Sequence, residues 1–84
     1  MSAEDMFLLG VSVSYGGQIY VSEQEMIDTG RAVCNALDLG ATGMDVALAM
    51  VDASAGDAST SEFLTAVTAS AVANFCPEHA WKFM

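Results

Sequence analysis

Two cysteines, a single histidine and eleven carboxylates carry most of the chemical capacity of this 84-residue chain. Cys34 lies in Gly30-Arg31-Ala32-Val33-Cys34-Asn35-Ala36-Leu37, and Cys76 lies in Asn74-Phe75-Cys76-Pro77. There is no Cys-X-X-Cys pair to run thiol exchange, and two distant cysteines with one histidine are too few donors for zinc. His79 has no nucleophile nearby except Cys76, three positions away. The carboxylates are scattered singly from Glu4 to Glu78, which is the pattern of solvated helix faces. Neither an acid–base pair nor a line of charge mimicking a nucleic-acid backbone emerges from it. The chain therefore reads as non-enzymatic, with no cofactor and no metal. The cysteine spacing leaves two readings open. One is a disulfide closing a loop of about 43 residues, worth about 4 kcal/mol in the chain-entropy model. The other is a pair of buried free thiols.

Charge narrows the partners. The formal net charge is −9, and Arg31 and Lys82 are the only Lys or Arg residues. Phosphate contacts depend on such residues, so direct binding to nucleic acid or to an anionic membrane surface is not expected. An acidic body favours basic partners. Apolar residues make up 54% of the chain, much of it alanine, and no run approaches the roughly 20 residues of a membrane span. The N-terminus, Met1-Ser2-Ala3-Glu4-Asp5, is acidic where a secretory signal is basic. The expected location is thus either the cytoplasm of the cell that makes the protein, or the exterior or envelope if the sequence is a mature form.

The elements that must position these groups are helical. Ser22-Glu23-Gln24-Glu25 predicts a capping box, Ser22 as N-cap and Glu25 at the third helical position. From there Met26, Ile27, Gly30, Val33, Cys34 and Leu37 recur at helical spacing. Gly30 inside that stripe costs about 1 kcal/mol against alanine, which close approach of a second helix would offset. Asp38-Leu39-Gly40 closes the helix with a glycine cap. Upstream, residues from Ser2 to about Val13 predict a short or irregular helix, with Ser2 as N-cap and Met6, Phe7 and Leu9 toward the core. Tyr15-Gly16-Gly17 ends it, and Gln18-Ile19-Tyr20-Val21 reads as an extended crossing with no strand to pair with. Thr42 caps a third helix with Asp45 at its third position; Met44, Ala47, Leu48 and Val51 are its expected buried stripe, flanked by Val46 and Met50. After a loop of small residues, a fourth helix is expected to start at Ser59, Thr60 or Ser61. Phe63, Leu64, Val67, Ala71 and Phe75 lie along one of its faces, and Pro77 stops it. Six methionines could line an apolar ligand pocket, but Met6, Met26 and Met44, at helical spacing, read as core. The expectation is one all-α domain over residues 1–84, a small four-helix bundle with its core at about 4–77 and an apolar tail at 78–84.

The segment Gly30-Arg31-Ala32-Val33-Cys34-Asn35-Ala36-Leu37-Asp38-Leu39-Gly40-Ala41, followed by a helix and then by Phe63 through Ala71-Val72-Ala73-Asn74-Phe75-Cys76-Pro77, resembles domain-of-unknown-function family 732. The likeness covers roughly residues 7–77. It implies an all-α fold in which Cys34 and Cys76 are disulfide-bonded, and an origin in mycobacteria or the phages that infect them. It implies no activity. Mycobacterial members of that family usually carry an export leader, which is not seen here. Leu39-Gly40-Ala41-Thr42-Gly43-Met44-Asp45 also looks like the turn of acyl carrier proteins, but Gly43 stands where those proteins need the serine that carries their prosthetic group.

The functional expectation is a helical module that binds another protein. The tail, which holds Trp81, Phe83 and Met84 in four residues, is the candidate contact if it does not pack back on the bundle. The alternative is a carrier of an apolar ligand, lipid or haem, in the helical interior, with His79 as a possible participant.

Overall fold

The computed structural model describes residues 2–84, and the all-α class holds among them. Four α-helices, α1 (Ala3–Ser14), α2 (Glu23–Asp38), α3 (Gly43–Ser54) and α4 (Ala58–Phe75), are followed by a C-terminal 3-10 helix, Pro77–Phe83. Gln18-Ile19-Tyr20-Val21 crosses between α1 and α2 without pairing.

Short-range chemistry sets the boundaries. Ser2 and Asp5 close a reciprocal box at the start of α1, each accepting from the other's backbone N–H. Thr42 and Asp45 do the same for α3. At α2, Ser22 Oγ accepts from the Glu25 N–H at 3.1 Å, but no returning bond from the Glu25 side chain completes the box. The far end of α2 is a Schellman turn: Gly40 adopts a φ of +105°, its N–H reaches the Leu37 carbonyl, and the Ala41 N–H reaches that of Ala36.

The core sits around α4, on which α1, α2, α3 and the C-terminal helix all pack. Phe7, Val11, Leu37, Val67, Ala71 and Cys76 are essentially sealed from solvent. The Phe7 ring stacks on Phe75 with centroids 4.8 Å apart, and the Arg31 guanidinium lies 4.4 Å above the Phe75 ring. Gly30 is where α2 comes closest. A Cβ there would stand 2.9 Å from Phe7 Cε1 and 3.2 Å from the Ala71 methyl, the close approach its place in the stripe predicted. α1 meets α4 through small residues, Gly10 over Ser70, and the Ser70 hydroxyl donates to the Phe7 carbonyl at 2.7 Å. α2 and α3 barely touch although they are consecutive.

Three expectations change. α3 is rotated from its expected facing: Val46 is buried and Met50 partly buried, while Met44, Leu48 and Val51 point to solvent. Gly43 explains it. The Lys82 carbonyl and the Phe83 ring press on Gly43, where no side chain would fit, and this turns the Gly43–Val46–Met50–Ser54 face inward. Second, Asp57 rather than Ser59, Thr60 or Ser61 caps α4. Ala55 and Gly56, both at positive φ, end α3 abruptly enough for the next helix to start at once. Third, α1 is a regular helix that buries Phe7 and Val11 but leaves Met6 and Leu9 half exposed. Of the methionines read as core, only Met26 is fully buried.

Candidate protein-binding surface

Cys34 and Cys76 are joined as a disulfide, with Cα atoms 5.8 Å apart. The bond ties the last turn and a half of α2 to the end of α4 and so delivers residues 77–84 to the α2 C-terminus. Two polar contacts hold them there. The Lys82 ammonium donates to the Leu37 and Ala41 carbonyls at 2.9 and 3.0 Å, adding a charged donor to the turn that ends α2, where the helix dipole favours a cation. Nε2 of His79 lies 2.6 Å from an Asp38 oxygen, and because a carboxylate only accepts, this nitrogen carries the proton. Glu78 brings a third donor, so Asp38, Glu78 and His79 each place a ligand atom within 4.8 Å of the others. Two of the three are exposed. Counting cysteines and histidine in the sequence misses this group, because Asp38 comes from a distant segment.

The tail thus has two characters. Its polar residues are docked while Trp81 is 66% exposed, Phe83 43% and Met84 fully exposed. Phe83 reaches the start of α3 at Gly43. The opposite, outer face of α3 carries a second apolar set, Met44, Leu48 and Val51, at spacings of four and three and each more than half exposed. The sequence singled out Trp81, Phe83 and Met84 but gave the α3 residues to the core. The competing stripe, Gly43-Val46-Met50-Ser54, was the available signal.

Two grooves complete the surface. One, about 480 Å³, lies between the 15–21 crossing and the N-terminal halves of α2 and α4, lined by Ile19, Met26, Phe63, Leu64 and Val67 with Tyr15 and Tyr20 at its mouth. Asp57 stands at its edge. The Thr60 hydroxyl first, and then the Ser59 N–H, hold its carboxyl below the ordinary value of 3.8. The other, about 390 Å³, separates α2 from α3. His79 borders neither groove. No helix among the described residues is long and apolar enough to cross a membrane.

A small all-α protein, closed by one disulfide that pins its C-terminal segment to the second helix, is the class these features define. Residues 3–78 match the family model described as "Protein of unknown function (DUF732)", and the chain belongs to that family. No curated protein and no solved structure matches it.

Proposed function

We propose that this protein is a non-enzymatic protein-binding module whose contact surface is the outer face of α3 together with the C-terminal helix. The observation that carries the reading is the outward stripe Met44, Leu48 and Val51, together with the exposed Trp81, Phe83 and Met84 at the end of the chain segment that packs on α3. Large side chains left in water on a helix whose inner face holds Gly43, Val46 and Ser54 mark a surface shaped for contact rather than a core short of room. The acidic body adds preference for a partner with basic residues around its own apolar centre. The family likeness supports a mycobacterial or mycobacteriophage source, for which gene neighbourhood is the discriminating observation: a phage genome points to a host target, a secretion operon to an envelope component.

The test is capture from an extract of the source organism with the wild-type chain and with Met44→Asp/Leu48→Asp. A partner held by the first and lost by the second, with unchanged circular dichroism, supports the proposal. Identical captured sets sink it.

The 480 Å³ groove favours a second reading, carriage of an apolar ligand, since its size and its aromatic and aliphatic lining suit a small hydrophobic molecule. Displacement of a fluorescent fatty acid, abolished by Phe63→Glu, would support it; no binding to the wild type would dismiss it.

A further inference from the structure

We infer that the cleft between α2 and α3 is a second docking site, which takes a basic amphipathic helix from a partner protein. The cleft exists because α3 packs on α4 and on the C-terminal helix but not on its sequence neighbour α2. Four alanines, Ala32 and Ala36 from α2 and Ala49 and Ala53 from α3, line its walls, with the partly or fully buried Val33, Val46 and Met50 deeper in and Leu64 and Thr68 of α4 beneath. Walls this low let another backbone come close, and the helices around the cleft lack the neighbour a bundle would place there.

The chemistry of the cleft selects the occupant. Both walls are α-helices whose backbone groups are already paired, so a strand has no edge to join. No aromatic side chain lines it, so a polyproline segment has nothing to lie on. Its polar groups, Thr29, Asp45 and Thr68, are too few and too spread to orient a small molecule. A helix remains, presenting an apolar ridge to the alanines.

Charge sets the flanks of that helix. Asp45 lines the cleft itself. Helical spacing puts Glu25 and Asp28 on the α2 rim and Asp52 on the α3 rim, and all of these are exposed. Neither Lys nor Arg is among its lining residues: Arg31 pairs with Glu4 on the α1 side, and the one nearby cation, Lys82, stands at the Ala41 end with its ammonium held by the Leu37 and Ala41 carbonyls. Lysines or arginines beside the ridge would meet this rim. A second copy of the chain would not, because the apolar helix faces it has to offer, Met6-Leu9-Val13 and Met44-Leu48-Val51, are flanked by Glu4 and Asp5 or by Asp45 and Asp52.

The experiment uses the full disulfide-bonded chain and two fluorescein-labelled helical peptides of about five turns, one alternating leucine and lysine faces and one in which glutamate replaces lysine. The lysine peptide should bind, should weaken as salt rises, and should shift the amide resonances of Ala32, Ala36, Ala49 and Ala53. Ala49→Trp fills the cleft from an exposed position and should reduce affinity about tenfold or more. Asp28→Asn/Asp52→Asn should weaken binding severalfold, and Met44→Gln/Leu48→Gln, which removes the apolar stripe without adding charge, should leave it within about twofold, which separates this site from the α3 outer face. The inference is overturned by equal affinity of the A49W variant with its fold intact, by equal binding of the glutamate peptide, or by no binding at all. Resonance shifts confined to the outer face of α3 and the tail, or a dimer in sedimentation that A49W dissolves, would overturn it as well.

Discussion

Removing the disulfide is the perturbation with the largest expected effect. The bond joins residues 42 positions apart, so the reduced, unfolded chain regains the freedom of a loop of that length. In the chain-entropy model this amounts to about 13 cal/mol/K, or about 4 kcal/mol at 25 °C. A domain of this size is stable by only about 4–12 kcal/mol, so the loss takes a third or more of the total. The surviving ties between tail and α2, from Lys82 and His79, contribute about 1 kcal/mol apiece and cannot replace it. With an unfolding entropy of about 0.18 kcal/mol/K for the chain, 4 kcal/mol lowers Tm by roughly 20 °C. Cys34→Ala/Cys76→Ala is the cleanest variant, followed by urea and thermal unfolding beside the oxidised wild type. A shift below about 5 °C would refute the reasoning, since no plausible residual structure in the unfolded chain hides so much of the effect. Ready alkylation of both cysteines in the native, unreduced protein would refute it more directly.

Other substitutions probe the remaining contacts. Gly30→Ala gains about 1 kcal/mol of helix propensity, but its methyl enters the space of a sealed Phe7 ring; the net expectation in urea unfolding is a loss of about 1 kcal/mol. Lys82→Met keeps the apolar stem and deletes the ammonium that donates to the Leu37 and Ala41 carbonyls, which should cost about 1 kcal/mol and speed amide exchange of residues 77–84. The Asp57 carboxyl titrates lower in the folded chain than in the unfolded one. Its contribution is therefore complete above the ordinary value of 3.8 and disappears as pH falls through the lower folded value. Stability measured between pH 5 and pH 2 should decline less steeply in Asp57→Asn than in the wild type.

Local signals were the legible part of this fold. The caps at Ser2 and Thr42 and the glycine stop at Gly40 are decided within a few residues, and the α2 stripe is unambiguous because Glu23, Asp28 and Arg31 mark its opposite face. α3 was not legible because it is apolar nearly all round, so two stripes satisfied the same spacing. Contact with Lys82 and Phe83, some 40 residues later in the chain, settled which one turned inward. The tail was half legible. Its bulky residues announced an apolar surface, but Lys82 looks like an ordinary surface cation until the Leu37 and Ala41 carbonyls at the end of α2 are seen beside it. The α2–α3 cleft leaves almost no trace in sequence, since alanines in a wall look the same as alanines on any solvated helix.

The lock on α2 is made of residues that follow it by some 40 positions. Until Cys76, His79 and Lys82 emerge, the helix that carries Cys34 has only its local Gly40 turn, without the covalent tie or the two polar contacts, so a nascent chain cannot mature in step with translation. A stop directly after Phe75 would leave every α-helix encoded and still release a protein whose second helix lacks all three ties.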